Sequence, residues 1–179
     1  MRIVVTGGAG FIGAVVVRQL RARGDDVVAI VRDPARATEL AAVGAELVKG
    51  KLDDVDEIAR QLAGADAFVH MAGSYRIGIP PSERPAMEDA NVGATTRVLA
   101  AAAIAATPRI VYTSTANVLG NTHGQVVDES HQRDMSEGFF SFYDETKLKA
   151  HEHVAARIAA GSPTMIAMPG GVYGPGDHS

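Results

Sequence analysis

The sequence predicts an α/β domain, a doubly wound parallel sheet with helices on both faces, on two observations. Short β-branched apolar runs alternate with segments of helical spacing along the chain. That alternation marks parallel strands joined by crossover helices. Five irregular segments, TGGAGFIG (6–13), VRDP (31–34), HMAG (70–73), TSTANVLG (113–120) and PGGVYG (169–174), each follow a predicted strand. They would gather at the carboxyl ends of the strands, where open sheets of this kind bind ligands.

Each element has its own signal. RIVVT (2–6) is short, β-branched and nearly all apolar, as a strand buried on both faces should be. Residues 11–23 follow with Ile12, Val15, Val16 and Leu20 on one helical face, and Gly24 ends the helix. DVVAIV (26–31) is a second strand. Residues 34–43 read as a helix, with Pro34 suited to its first turn. Residues 45–48 form a third strand and 55–62 a third helix. AFVHM (67–71) is a fourth strand. Residues 83–106 are one long helix closed by Pro108, and RIVYT (109–113) is a fifth strand. The polar stretch 117–138 has no regular period. Residues 140–160 are helical up to Gly161, and TMIAM (164–168) is a sixth strand.

Bulk properties narrow the function classes. The 179 residues suffice for one domain with a sizeable core. A formal net charge of −4 gives no electrostatic footprint for nucleic acid. The chain has no cysteine, so it has no disulfide, thiol nucleophile or thiolate metal site. His151 and His153 do not share the i, i+4 face of a helical metal pair, so no metal is expected. No apolar run approaches a membrane span, and no leader pattern opens the chain. A cytoplasmic domain without a membrane or nucleic-acid partner is expected.

The first irregular segment carries the first chemistry. Gly7, Gly10 and Gly13 lie between a predicted strand and a predicted helix, the context that a dinucleotide fingerprint requires. Gly7 would permit the turn, Gly10 would admit a pyrophosphate to the backbone, and Gly13 would let helix and strand pack closely. Phe11 and Ile12 are counted with this loop as cofactor-binding. The helix N-terminus adds a favourable dipole for the anion. The fold is therefore expected to be of the Rossmann type. At the end of the second strand an acid would bond a ribose 2′-hydroxyl, whereas an arginine accommodates a 2′-phosphate. Here Arg32 precedes Asp33, with Arg36 one turn on. This favours NADP, with NAD possible, unless Arg32 faces solvent or pairs with Asp33.

The second chemistry is YDETK (143–147). Spacing of four puts Tyr143 and Lys147 on one helical face, within mutual reach. A nearby ammonium favours the phenolate and would lower the tyrosine pKa, making Tyr143 able to exchange a proton with an alcohol or carbonyl. Thr113, Ser114 and Thr115 follow a strand and offer hydroxyls to hold the substrate oxygen. A surface Tyr–Lys pair and a self-satisfied strand end are the alternatives.

TGGAGFIG, HMAG, NVGAT (91–95), TSTANVLG, YDETK and PGGVYGPGD (169–177) together resemble the extended short-chain dehydrogenase/reductase family, which includes NAD-dependent epimerases and dehydratases and dihydroflavonol-reductase-like enzymes. VRDP most resembles the NADP-using dihydroflavonol-reductase-like branch. The resemblance implies that Tyr143 is the catalytic acid/base and that Lys147 binds the nicotinamide ribose and lowers the Tyr143 pKa. It places the catalytic hydroxyl on Thr115 rather than Ser114, and has Asn91 shape the site. His70, Ala72 and Gly73 would line the dinucleotide, Thr113 would join the cofactor site, and Pro169, Gly170 and Val172 would lie on the nicotinamide side. The family commonly has an acid and an apolar residue after the third strand. This chain reads Gly50-Lys51-Leu52-Asp53, so either Asp53 substitutes, beside Leu52, or the adenine contact is lost.

The resemblance implies hydride transfer between nicotinamide C4 and a carbonyl or alcohol carbon of a small-molecule substrate. The same apparatus serves sugar-nucleotide epimerisation or dehydration, and a dinucleotide-binding module without turnover is a further reading. Family members usually carry a further C-terminal portion that closes over the substrate. That portion is expected to be absent, so that residues 1–179 are the cofactor half of a longer protein. Pairing of two copies through the two long helices, 83–106 and 140–160, is expected.

Overall fold

The computed structural model describes residues 1–177. Six strands form one parallel sheet in the order β3-β2-β1-β4-β5-β6. They are β1 (Arg2–Thr6), β2 (Asp26–Val31), β3 (Glu46–Lys49), β4 (Ala67–His70), β5 (Ile110–Thr113) and β6 (Thr164–Ala167). The helices are α1 (Phe11–Ala22), α2 (Thr38–Ala42), α3 (Val55–Leu62), α4 (Arg84–Glu88), α5 (Ala94–Ile104) and α6 (Phe142–Ala159). Strand order reverses between β1 and β4, and a crevice at that point is the ligand position of a doubly wound sheet.

Both faces are covered, which explains strands without polar alternation. Ile3, Val5, Val27 and Ala29 pack with Val17 of α1 and Leu40 of α2. Val4, Val28, Ile30, Phe68 and Ile110 pack on the other face with Ile58 and Leu62 of α3, Val98 and Leu99 of α5 and Val154 of α6. No helix among the described residues is long and apolar enough to cross a membrane.

Three segments depart from the sequence expectation. The helix expected over 34–43 is a 3₁₀ turn, Pro34–Arg36, followed by the short α2. The Asp33 carboxylate accepts from the Ala35 N–H and starts the tight turn, and Ala37 then leaves helical geometry at φ −112°, ψ 31°. The long helix expected over 83–106 runs through 3₁₀ (Pro81–Glu83), α4, a π-helical turn (Asp89–Gly93) and α5. That wide turn carries Asn91, whose side chain bonds outside the helix. α6 begins at Phe142 rather than 140, because the Ser141 hydroxyl caps it by accepting from the Asp144 N–H. The polar stretch contributes two 3₁₀ turns, Ala116–Leu119 and Met135–Glu137.

Candidate active site

A cleft of about 1110 Å³ opens at the carboxyl edge of the sheet. Its walls are residues 6–10 after β1, 30–33 at the end of β2, 50–53 after β3 and 71–74 after β4. The glycine loop is shaped by its own packing. Gly7 has φ +72°, and a Cβ there would stand 2.5 Å from the Ala72 amide nitrogen. A Cβ on Gly13 would stand 2.1 Å from the Gly7 carbonyl oxygen and 2.8 Å from the Gly8 Cα. Glycine at both positions lets α1 lie directly on the loop and the loop directly on the segment after β4. Gly10 is different. Its φ of −82° suits any residue, and it is the N-cap of α1 with no side-chain cap bond. No acidic residue stands in the first turn of α1 either. The start of the helix therefore offers backbone donors to the cleft, which fits the diphosphate of a dinucleotide. Phe11 and Ile12, half-buried in the first turn of α1, are not among the cleft-lining residues, nor is Gly13.

Arg32 and Arg36 line the cleft beyond β2. Neither side chain has a hydrogen bond or ion pair to a described residue, and Asp33 is occupied by its turn. Lys51, Leu52 and Asp53 also line the cleft, so the structure leaves both the lysine and the acid within reach of a ligand. The Leu52 carbonyl accepts from Arg97 Nε.

His70 does not line the cleft, contrary to expectation. It is fully buried, shares a 2.7 Å hydrogen bond with Thr6 Oγ1 and a 3.2 Å one with Thr95 Oγ1, and stacks between Phe68 and Tyr112. Strand alternation explains this, since Phe68 and His70 project from the same face of β4 into the core. Burial first, and then the Lys147 charge, push its pKa down to about 3. The native state thus keeps His70 neutral while the unfolded chain protonates it below about pH 6.5. Its stabilising contribution is complete above that pH and is lost as pH falls from about 6.5 toward 3. Urea denaturation at pH 7 and pH 5 checks this. Wild type should lose more stability between the two than His70→Asn, and equal losses would contradict the assignment.

Ala72 and Gly73 do line the cleft. Asn91 holds this segment: its Oδ1 accepts from Ser74 N at 2.7 Å, and its Nδ2 donates to the Ser74 carbonyl at 3.0 Å. The same Nδ2 donates to Thr146 Oγ1 at 2.9 Å. Asn91, buried in the π-helical turn, thereby fastens the wall of the cleft to α6. It acts by positioning, with its polar atoms committed to protein partners.

On α6, Tyr143 stands between the β4 and β5 loops. Tyr75 meets its ring edge-on at 4.8 Å. Ser74 and Arg76, on either side of Tyr75, line the cleft, while Thr115, Tyr143 and Lys147 are not among its lining residues. Asp144, next to it, accepts from Asn117 Nδ2 and from Ser141 Oγ, both at 3.0 Å. Burial pushes Tyr143 up to about 12, and the Thr115 hydroxyl pulls in the other direction. Ser114 shares a 3.0 Å hydrogen bond with His151 Nδ1 instead, so of the two hydroxyls Thr115 is the one that acts on the phenol.

Lys147 departs from expectation. It does not bond Tyr143 and is not among the causes of the Tyr143 shift. Its Nζ donates to the Thr113 carbonyl at 2.8 Å and to the Tyr112 hydroxyl at 3.2 Å. Spacing of four fixes a common helical face, but the flexible lysine stem carries the ammonium inward to β5. Burial lowers its pKa to about 8. Thr113 therefore takes part through its carbonyl. Pro169 contributes a carbonyl that accepts from Ala116 N at 2.9 Å, placing the loop after β6 against the Thr115 turn. Gly170 has open space around it, and Val172 is exposed. Tyr75, Asp144 and Tyr112 were not read from the sequence as site residues. Only Tyr112 carried a signal, its place two residues before Ser114 on the same strand face.

Comparison with known proteins accords with this geometry. The profile of the NAD dependent epimerase/dehydratase family matches residues 3–179. A putative dihydroflavonol 4-reductase of Synechocystis sp. is 34% identical over 97% of this chain and 50% of its own length. A 4-hydroxy-2-methyl-3-oxo-4-farnesyl-3,4-dihydroquinoline-1-oxide ketoreductase of Stigmatella aurantiaca is 34% identical over 99% of this chain and 52% of its own. The chain thus spans about half the length of these curated relatives. Among solved structures, the NAD-bound dTDP-glucose 4,6-dehydratase of Streptomyces venezuelae superposes with a TM-score of 0.83 at 29% identity, over 99% of this chain and 58% of that one. The NAD-bound UDP-glucose-4-epimerase of Stenotrophomonas maltophila gives 0.82 at 25% identity, over 94% and 52%. By its glycine loop, its strand order and these matches, the chain belongs to the NAD dependent epimerase/dehydratase family.

Proposed function

We propose that this chain is the cofactor-binding portion of an NADP(H)-dependent reductase acting on a ketone or the corresponding alcohol. The observation that carries the reading is the segment 74–76, whose flanking residues line the glycine-loop cleft while Tyr75 packs on Tyr143. A bound nicotinamide would supply or take the hydride. The chain's own groups do the rest. Backbone donors at the start of α1 receive the diphosphate, Thr115 orients the substrate oxygen, and Tyr143 gives that oxygen a proton. Lys147 carries a buried positive charge at the foot of the site. The reductase relatives support this direction of chemistry, and the NAD-bound dehydratase and epimerase support a second reading, transient oxidation at the same site. Exposed Ile77 and Phe140 beside Asn117 and Asp144 suit a further portion of the protein that closes over the substrate.

Arg32 and Arg36 support NADP over NAD, because two unpaired guanidinium groups at the end of β2 match a 2′-phosphate. Nicotinamide fluorescence titrations should show NADPH binding about ten-fold more tightly than NADH, the scale of one charge-assisted hydrogen bond. Arg32→Ala should remove most of that preference. Equal wild-type affinities would contradict it.

A further inference from the structure

Strand β5 and helix α6 meet in register. Tyr112 on β5 and Ser114, the first residue beyond the strand, project to one side, about 6.6 Å apart along the extended backbone. Lys147 and His151 lie one turn apart on α6, a rise of about 6 Å. The near-equal spacings produce two matched contacts, Lys147 Nζ with the Tyr112 hydroxyl at 3.2 Å and His151 Nδ1 with Ser114 Oγ at 3.0 Å. Tyr112 is 1% exposed, and its ring also faces the ammonium, with Nζ 4.8 Å from the ring centroid.

Among the described residues, the Lys147 ammonium has no carboxylate partner. The titratable groups disposed around it are His70 on β4, Tyr112 on β5, and Tyr143 and His151 on α6. The carboxylate of Asp144 is engaged with Asn117 and Ser141. Two neutral oxygens, the Thr113 carbonyl and the Tyr112 hydroxyl, therefore hold the buried charge. A buried charge depends on each such bond far more than an exposed one does.

We propose that Tyr112 is a positioning residue for Lys147, its hydroxyl fixing the ammonium between β5 and α6 and keeping it charged. Burial pushes the Tyr112 phenol well above its ordinary value, so its oxygen remains a neutral acceptor throughout the working range.

The role rests on reading Lys147 as a cofactor-site lysine, but its test does not need the cofactor. Tyr112→Phe keeps the ring and removes the oxygen. In NMR titrations of isotope-labelled lysine side chains, Lys147 should lose its proton about one pH unit lower in Tyr112→Phe than in wild type, as expected for one hydrogen bond to a charged group. An unchanged Lys147 midpoint in the folded variant would overturn the proposal. If the variant does not fold, the wild-type protein answers through ring-carbon-labelled tyrosine. The Tyr112 signal should move through the Lys147 midpoint and stay still in Lys147→Met, whereas a Tyr112 signal blind to that midpoint would overturn the proposal. A wild-type chain that shows the coupling yet binds no NADPH would refute the functional reading and leave the anchoring intact.

Discussion

Tyr143→Phe should lower turnover of a carbonyl substrate by about 10²–10⁴-fold, the usual weight of a positioned general acid, while NADPH affinity stays close to that of wild type. The ring keeps its edge contact with Tyr75 and its burial, so only the proton is removed. At a pKa of about 12 the free chain holds this phenol as its neutral acid at neutral pH. That is the form reduction requires, so no proton has to be acquired before hydride transfer. The reverse reaction requires the phenolate, and burial opposes it. Lys147 bonds Tyr112 and Thr113 rather than the phenol, so it does not by itself lower the Tyr143 pKa in the free chain. Steady-state rates beside a fluorescence titration separate the two quantities. Loss of binding in step with rate would show that Tyr143 serves packing rather than chemistry.

Gly13→Ala is expected to have the largest effect on the fold. One added carbon would sit 2.1 Å from the Gly7 carbonyl oxygen and 2.8 Å from the Gly8 Cα, both backbone atoms with no rotamer to yield. Helix α1 must back away from the loop, which loosens the contacts of Val17 with the β1 and β2 face. Overpacking of this kind costs about 3 kcal/mol, or roughly 6–12 °C in Tm for a domain of this size. NADPH binding should fall with it, because the displaced helix start carries the donors for the diphosphate. Gly170→Ala is the matching control, since open space surrounds that position and its φ is not positive. Thermal melts followed by circular dichroism compare the two. A Gly13→Ala chain melting with wild type would show that the close approach is dispensable.

How far the sequence was legible follows from what decides each feature. Strands buried on both faces announce themselves as apolar runs, so all six lie within one residue of the expected bounds at each end. The turn at Gly7 and the helix–strand approach at Gly13 are written in residue type, because nothing larger fits. Features decided by contacts distant along the chain were not legible. The π-helical turn forms around Asn91, whose partners Ser74 and Thr146 lie 17 and 55 residues away. The direction of Lys147 is set by acceptors on β5, 34 and 35 residues away. His70 lies in the core rather than at the cleft, because strand alternation with Phe68 turns it inward.

The central claim is that a dinucleotide lies along the glycine loop with its reactive ring beside Tyr143. A crystal structure of the chain with NADP⁺ tests it most directly. The account predicts the diphosphate against the backbone amides at the start of α1, the 2′-phosphate near Arg32, and the nicotinamide next to the Tyr143 hydroxyl. A dinucleotide seated elsewhere, or lying in the cleft with its nicotinamide at the β2 end, would contradict it.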